Sequence, residues 1–291
     1  MTKAAVVILN WNGEKMLRQF LGKVVESLPE GVKIVVADNG SSDSSCQYIE
    51  QNHPSVEIIR LDKNYGFATG YNLALSQVDA EYYILLNSDV EPQRGGVEPL
   101  IEALDREPDL GCVGPKLRSW HNREMFEYAG AAGGFIDYLG YPFCRGRILK
   151  KLEQDRGQYD SESDVFWVSG AAMCCRSELF HRLGGFDDSY FAHMEEIDLA
   201  WRMQLAGWRL RVLPQSVVYH VGAATLKVDS PLKTFLNHRN NLRMLMKCST
   251  PSQRLVVSIV RPVSDLMAAL SYLLQGHWGA FCAVLRAWRE F

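Results

Sequence analysis

Apolar segments that end in polar clusters recur along the first 90 residues, and they limit the fold more than any other feature of the sequence. Residues 4–9, 32–37, 56–61 and 82–86 are largely apolar, and each run stops at a group of Asn, Asp, Ser or Gly. A helical stretch follows each of the first three. This alternation is typical of right-handed strand–helix–strand units on a parallel sheet. We therefore predict an α/β fold with a mainly parallel central sheet flanked by helices.

The run at 82–86 leads directly into Asn87-Ser88-Asp89. In open α/β sheets, ligands bind beyond the carboxyl ends of the strands. A carboxylate there can hold magnesium or manganese through oxygen, so the sequence predicts a ligand site at these residues. The alternative is that Asp89 only caps a turn.

Polar loops also follow the first three strands, at 10–13, 38–43 and 64–72. Asp38 can accept hydrogen bonds from a base or a ribose, and the pair Gly66 and Gly70 allows a ligand to approach the backbone closely. Each loop alone also fits a plain turn, but their occurrence at successive strand ends favours a nucleotide site. The first loop lacks the Gly-rich pattern of dinucleotide-binding folds and of nucleotidyltransferases.

A second acidic group opens a helical pattern that runs from Glu195 to about residue 206. Glu195, Glu196 and Asp198 fall in its first turn, where the helix dipole stabilises negative charge, so a purely structural role is open to all three. Asp198 and Arg202 have the spacing of an ion pair. A general base has to reach its substrate at the helix start, which favours Glu195 or Glu196. His220 ends a later strand and is either structural or a metal ligand.

The C-terminal part is basic and amphipathic. Residues 231–264 contain six Lys and Arg and no Asp or Glu, and 266–274 and 278–288 are amphipathic helical stretches. This part can lie on an anionic membrane surface, pack onto the main domain, or contact the partner in a homodimer. We divide the chain into a nucleotide-sugar-binding and catalytic domain at 1–228 and a C-terminal region at 229–291. Residues 120–158 show no clear period and predict a long loop excursion.

Composition excludes several classes of protein. A net charge of −3 argues against nucleic acid as a partner. Seven cysteines without C-x-x-C spacing argue against structural zinc and favour a reducing compartment. The sequence has neither a signal-peptide layout nor a run of about 18 uncharged apolar residues, so we expect no transmembrane helix.

Taken in order, these motifs resemble family 2 glycosyltransferases with the GT-A fold, especially bacterial rhamnosyltransferase-like members. The resemblance covers about residues 4–225. It is carried by Val-Ile-Leu-Asn-Trp-Asn-Gly, Val-Val-Ala-Asp-Asn-Gly-Ser-Ser-Asp, Asn-Tyr-Gly-Phe-Ala-Thr-Gly-Tyr-Asn, Leu-Leu-Asn-Ser-Asp-Val, Gly-Gly-Phe-Asp-Asp-Ser-Tyr-Phe, Met-Glu-Glu-Ile-Asp-Leu-Ala-Trp-Arg and Tyr-His-Val-Gly.

The resemblance implies a role for each motif. Asp89 and His220 would bind a divalent metal, manganese or magnesium, and Asn87 replaces the first Asp of the family's Asp-x-Asp motif. Glu196 would be the general base, with Glu195 and Asp198 beside it, although the family has Asp at that position. The nucleotide-sugar pocket would be lined by Asn10, Asn12, Asp38, Asn64, Gly66, Asn72, Asn87 and Ser88.

The implied activity is inverting transfer of a hexose from dTDP-rhamnose or a UDP-sugar to a hydroxyl of a glycan or lipid-linked acceptor. The implied process is bacterial surface polysaccharide synthesis, in the cytoplasm at the inner face of the cell membrane. Arg239 or His238 would add charge near the diphosphate. The departures at Asn87 and Glu196 leave open a catalytically inert nucleotide-sugar or glycan-binding module on the same fold.

Overall fold

A computed structural model of the chain describes residues 2–149, 151–222 and 230–291. Its first half has the predicted alternation of strand and helix. The elements are β1 (Thr2–Asn10), α1 (Glu14–Ser27), β2 (Lys33–Asn39), α2 (Ser45–Asn52), β3 (Glu57–Leu61), α3 (Gly66–Leu75) and β4 (Ala80–Asn87).

The second half departs from simple alternation. Residues 120–158, predicted as a loop excursion, contain two short hairpins, and His220 ends one long strand with an irregularity between Leu213 and Val217. The elements are β5 (Val90–Pro92), α4 (Glu98–Arg106), β6 (Leu110–Ser119), β7 (Gly134–Ile136), β8 (Pro142–Cys144), β9 (Arg147–Ile148), β10 (Lys151–Leu152), β11 (Ser163–Asp164), β12 (Ala172–Arg176), α5 (Ser177–Arg182), α6 (Glu195–Leu205), β13 (Arg209–His220), α7 (Pro231–Cys248), α8 (Pro251–Leu274) and α9 (Trp278–Glu290).

The central sheet has nine strands in the order β11-β13-β6-β12-β4-β1-β2-β3, with β5 paired to β13. Strands β1 to β4 are parallel, and so are β6 and β13. Strand β12 is antiparallel to both β4 and β6. As a result, the carboxyl ends of β1, β2, β4 and β13 and the amino end of β12 all lie at one edge of the sheet.

The central strands of the sheet are buried on both faces, because successive residues of β1 and β4 enter two different cores. Val7 and Leu85 belong to the core that contains residues of α3, α5 and α6. Their neighbours Ile8 and Ile84 belong to the core that contains residues of α1 and α4. This explains why the strands are nearly continuous apolar runs rather than alternating ones.

The C-terminal helices pack against the main domain. Met244 and Leu245 of α7 belong to its core, and Asn241 donates a hydrogen bond to the carbonyl oxygen of Gly140 at 2.7 Å. Helix α9 contacts α7 and α8. The predicted boundary between residues 228 and 229 lies outside the described residues, and the division into domains stays a prediction.

Helix α8 is long and apolar enough to cross a membrane by length and composition alone. The sequence criterion of an uncharged run missed it because the helix contains Arg261 and Asp265. Both charged residues are almost completely buried, with exposed fractions of 1% and 0%. Helix α8 therefore buries its pair of opposite charges, while many of its large apolar side chains are exposed.

Candidate active site

The ends of β1 and β2 form one side of the site. Asn10 and Asp38 are register partners, both are buried, and the Asn10 amide donates to the Asp38 carboxylate at 3.3 Å. The Asn10 side-chain oxygen is buried and accepts no hydrogen bond from any described residue. A buried acceptor without a donor is costly, so this position favours a ligand that supplies one.

The end of β4 lies next to the loop after β1. A Cβ atom built on Gly13 would lie 2.3 Å from the Asn10 side-chain oxygen and 3.7 Å from the Ser88 hydroxyl. Only glycine fits this close approach. The structure therefore brings Asn10 and Ser88, which the sequence analysis assigned to one pocket, to the same place.

Three of the predicted pocket residues use their amide groups to hold loops. The Asn12 side-chain oxygen accepts from the Ser42 amide at 2.8 Å, and that of Asn64 accepts from the Gly66 amide at 2.8 Å. Asn72 holds the loop before α6. Its amide donates to the Phe186 carbonyl oxygen at 2.8 Å, and its oxygen accepts from the Phe186 backbone amide at 2.9 Å. These residues shape the wall of the pocket.

Asp89 and His220 come together although 130 residues separate them in the sequence. Asp89 Oδ1 lies 3.2 Å from His220 Nε2, and the two residues are 5% and 6% exposed. Asn87 completes the group, with its amide nitrogen 3.5 Å from the same His220 atom. Two ligand atoms at right angles on an ion with bonds of about 2.1 Å lie about 3 Å apart. The spacing of Asp89 and His220 fits a hydrogen bond from the imidazole to the carboxylate. It also fits a divalent ion bound by both residues, which would replace the proton on Nε2.

Within the described parts of the chain, no group of three or more His, Cys, Asp or Glu side chains is arranged to hold a metal by itself. An ion bound by Asp89 and His220 would need further oxygen ligands from a substrate. This is how magnesium is commonly held, by one or two carboxylates and substrate phosphates.

Glu127 is a site residue that the sequence analysis missed. Its carboxylate lies 3.4 Å from His220 Nδ1, on the side of the imidazole opposite Asp89, and it is 5% exposed. Burial lowers the pKa of His220, but the Asp89 and Glu127 carboxylates outweigh it and raise the pKa to about 10. No periodicity in residues 120–158 distinguishes Glu127 from the acidic residues around it.

Glu195 and Glu196 begin α6 next to the Ser169–Ala171 segment. Gly170 lies against the Glu196 side chain, with 3.4 Å between a built Gly170 Cβ and Glu196 Cβ. The Asn87 backbone amide donates to the Ala171 carbonyl oxygen at 3.0 Å.

Each glutamate has a buried carboxylate oxygen that no described residue hydrogen-bonds. Burial raises the pKa of Glu196 to about 7 and that of Glu195 well above its usual range, with the Glu196 charge as the second cause for Glu195.

The backbone just before these glutamates is strained. His193 and Met194 have φ angles of 71° and 73°, in the left-handed region that non-glycine residues rarely adopt. Two such residues in sequence cost free energy and persist only where the surrounding structure holds them. Asn240 of α7 contributes by donating to the carbonyl oxygens of Ala192 and His193 at 2.9 and 2.8 Å.

Asp198 has a different environment. It is fully buried and pairs with Arg202 at 2.8 Å, as its spacing predicted, and with Lys247 of α7 at 2.7 Å. Arg202 in turn donates to the carbonyl oxygens of Leu183 and Gly185, both at 2.7 Å. These contacts join α6, α7 and the preceding loop, so we assign Asp198 to stabilising the helix rather than to the reaction.

Among the basic residues of α7, Lys233 is the one that interacts with Glu127 of the site. It interacts electrostatically with Glu127 and His193, and no described residue hydrogen-bonds its ammonium group. Arg239 and His238, predicted near a diphosphate, have other neighbours. Arg239 donates to the Ser189 carbonyl oxygen at 3.3 Å, and His238 lies 3.7 Å from Asp265 of α8.

This fold has the GT-A architecture, because its structural neighbours are GT-A glycosyltransferases. A mannosyltransferase from Pyrobaculum calidifontis, solved with GDP-Man and Mn²⁺, aligns with a TM-score of 0.60 at 16% identity, over 98% of this chain and 74% of that one. GalNAc-T7, solved with UDP, GalNAc and Mn²⁺, aligns with a TM-score of 0.65 at 16% identity over 84% of this chain. The aligned part is 48% of the GalNAc-T7 chain, so this chain spans about half its length.

The chain belongs to glycosyl transferase family 2, whose family model matches residues 5–177. It is 29% identical over 253 residues to the N-acetylglucosaminyl-diphospho-decaprenol L-rhamnosyltransferase of Mycobacterium tuberculosis, covering 81% of each chain. It is 26% identical to the rhamnosyltransferase WbbL of Escherichia coli, over 69% of this chain and 78% of that one. The predicted fold class and the predicted rhamnosyltransferase-like membership of family 2 are confirmed.

We expect Asp198→Ala to reduce stability, because it leaves the partly buried Arg202 guanidinium without its carboxylate. The free energy of unfolding should fall by about 3 kcal/mol, measured by urea denaturation. Glu178→Ala, at an exposed position in the first turn of α5, is the matched control and should change it by less than about 0.5 kcal/mol. A fully stable Asp198→Ala protein that has lost activity would contradict the structural assignment.

Proposed function

We propose that this protein is a metal-dependent, inverting glycosyltransferase that uses a nucleoside-diphosphate sugar, either dTDP-rhamnose or a UDP-sugar. The acceptor is a hydroxyl of a glycan or lipid-linked sugar in bacterial surface polysaccharide synthesis. The observation that carries the proposal is the position of two chemically different groups next to the Ser169–Ala171 segment. One is the Asp89–His220 pair, which lies just beyond Asn87, the residue that bonds to Ala171. The other is the carboxylate of Glu196, one oxygen of which accepts no hydrogen bond from any described residue.

Glu196 is the general base in this proposal. Its carboxylate has one oxygen free of protein hydrogen bonds, and burial places its pKa near 7, where a base is both ionised and able to take a proton. It removes the proton of the acceptor hydroxyl as that oxygen attacks the anomeric carbon. The bond from that carbon to the diphosphate breaks at the same step, so the configuration inverts. Glu195 is more deeply buried and has a more strongly raised pKa, so it is the weaker candidate.

Asp89 and His220 serve the leaving group. They would hold manganese or magnesium, which when bound neutralises the charge that develops on the departing diphosphate. Glu127 contacts the far nitrogen of His220 and would fix the imidazole with Nε2 directed toward the ion, as carboxylates commonly do behind metal-bound histidines. Lys233 has no hydrogen-bonded partner among the described residues and would contact the diphosphate directly.

The nucleotide would lie along the ends of β1 and β2. Asp38 and the free oxygen of Asn10 can both accept hydrogen bonds from a base or a ribose. The loops held by Asn12, Asn64 and Asn72 would shape the pocket around it, and Gly66, Asn87 and Ser88 would line it. The shape of this pocket would determine whether the donor is a dTDP-sugar or a UDP-sugar.

The acceptor and the location follow from the relatives. The name of the mycobacterial relative gives it an acceptor sugar carried on diphospho-decaprenol, and we extend a lipid-linked acceptor to this chain. We place the protein in the cytoplasm, at the inner face of the cell membrane. All seven cysteines are free thiols in the structure, as expected in a reducing compartment.

We expect Glu196→Gln to abolish transfer while nucleotide binding is kept, because the amide fills the same space but cannot accept the proton. The rate constant kcat should fall by at least about 100-fold, measured as release of nucleoside diphosphate. For the unmodified protein, kcat should rise with pH through an apparent pKa of about 7, since the base works only when deprotonated.

Glu195→Gln is the matched control, and its loss of kcat should be smaller. Unchanged turnover in Glu196→Gln would exclude Glu196 as the base. Full nucleotide binding with no turnover in the unmodified protein, over a panel of donors and acceptors, would favour an inert binding module.

We expect Glu127→Gln to weaken metal binding, because His220 loses the carboxylate that orients it. The affinity for Mn²⁺ in the presence of nucleoside diphosphate should fall about 10- to 100-fold, measured by calorimetry. Glu124→Gln, at an exposed position three residues away, should leave it unchanged. Equal Mn²⁺ affinity in Glu127→Gln and the unmodified protein would exclude this role for Glu127.

A further inference from the structure

Helix α8 carries a stripe of exposed apolar side chains on its outer face. The spacing follows one side of a helix from its first turn to its last residue, and the exposed fractions run from 44% to 89%. We call this set the outer stripe, and it consists of Leu255, Ile259, Val263, Met267, Leu270 and Leu274. Surface helices of soluble proteins normally direct such a face toward the core.

The orientation of α8 is fixed by a buried polar cluster on its inner face. Arg261 donates to the Asn241 side-chain oxygen of α7 at 2.7 Å and to the Leu139 carbonyl oxygen at 2.8 Å. Asp265 accepts from the Tyr141 hydroxyl at 2.7 Å and from the Trp288 indole of α9 at 3.0 Å. Rotating the outer stripe inward would break all of these bonds and expose two charges, so the stripe stays outside.

We propose that the outer stripe docks in the plane of an anionic lipid membrane. The charge of this part of the chain is complementary to such a surface. Residues 230–291 contain eight Lys and Arg against two Asp and Glu, in a chain whose net charge is −3. Amphipathic helices bind anionic membranes through buried apolar area and basic residues together.

Aromatic residues lie at both ends of the stripe. Tyr138 is 59% exposed and Trp278 is 62% exposed. The backbone carbonyl oxygen of Tyr138 accepts a hydrogen bond from Gln253 in the first turn of α8 at 2.9 Å, and Trp278 begins the next helix. Tyr and Trp are the residues enriched at the boundary between lipid headgroups and acyl chains.

The helix docks on the membrane and does not cross it. A spanning α8 would carry Arg261 and Asp265 into the hydrocarbon, away from the partners on α7, α9 and the 137–141 turn that now satisfy them. Docking along the outer stripe leaves the whole cluster intact. Only side chains that are already exposed enter the lipid.

The stripe leads toward the active site, and here the inference rests on the proposed function. A Cβ atom built on Gly279, in the first turn of α9, would lie 2.7 Å from the Pro231 ring of α7, so the helix that follows the stripe begins beside the first turn of α7. Asn240 of α7 in turn holds the Ala192–His193 backbone that leads into Glu195 and Glu196. A membrane along α8 would therefore lie on the part of the chain that also supports the start of α6.

Vesicle flotation of the full chain tests the proposal, with phosphatidylglycerol vesicles compared with phosphatidylcholine vesicles. The protein should float with the anionic vesicles and much less with the zwitterionic ones. Ile259→Glu and Met267→Glu should each lower the partition coefficient about tenfold or more. Leu205→Glu is the matched control, because Leu205 is 63% exposed at the end of α6, close to the 65% of Ile259.

Three results would overturn the proposal: no flotation of the unmodified chain, equal flotation of the stripe variants, or equal binding to both kinds of vesicle. Sedimentation velocity in the absence of lipid tests the competing explanation, in which the outer stripe is a dimer interface. A dimer that Ile259→Glu dissociates, without vesicle binding, would assign the stripe to a second copy of the chain. Calorimetric titration of UDP and dTDP into the same proteins separates this proposal from the proposed function. Absence of nucleotide binding would contradict the proposed function, but it would not contradict the docking of the outer stripe on a membrane.

Discussion

The reversed strand β12 is the feature on which the site depends. Because β12 runs antiparallel between β4 and β6, the segment that enters it crosses the edge where the parallel strands end. That segment bonds to Asn87 through Ala171 and lies against Glu196 through Gly170. Without the reversal, the carboxyl ends of β4 and β13 would still meet, but the segment that contacts both Asn87 and the acidic start of α6 would be absent.

Buried charged residues have two kinds of environment in this molecule. Asp198 and Arg261 are buried beside oppositely charged residues, Arg202 and Lys247 for the first and Asp265 for the second, and their contacts join helices together. Glu195 is buried and Glu196 is partly buried, each has a carboxylate oxygen that no described residue hydrogen-bonds, and the two residues before them have left-handed backbone angles. Buried carboxylate oxygens without partners and a strained backbone both destabilise the start of α6. Such features are characteristic of functional sites. The networks around Asp198 and Asn240 offset this cost by tying α6 to α7.

Much of the fold follows from local sequence, because the strands β1 to β4 are buried on both faces and each ends in turn residues. The same logic correctly predicted the Asp198–Arg202 pair, and it placed Asp89 and His220 at strand ends that the sheet then brings to one edge. Glu127 and Lys233 could not be found in this way. Their relevance comes from contacts across the fold, and neither residue lies in a periodic or motif-bearing segment. Asn64 and Asn72 lie in motifs that the sequence analysis assigned to the pocket. In the structure, their side-chain amides hydrogen-bond to the backbone of neighbouring loops, and the sequence alone does not show this.

Calorimetric titration of UDP and dTDP into the folded protein, each with and without Mn²⁺, tests the central claim most directly. We expect one of the two nucleotides to bind tightly with an affinity that depends on the metal, because Asp38 and Asn10 would contact the nucleoside while Asp89 and His220 would hold the ion at the diphosphate. Replacement of Asp89 by Asn should remove the dependence on Mn²⁺. Absence of binding by both nucleotides, with and without Mn²⁺, would contradict the assignment of this sheet edge as a nucleotide-sugar site.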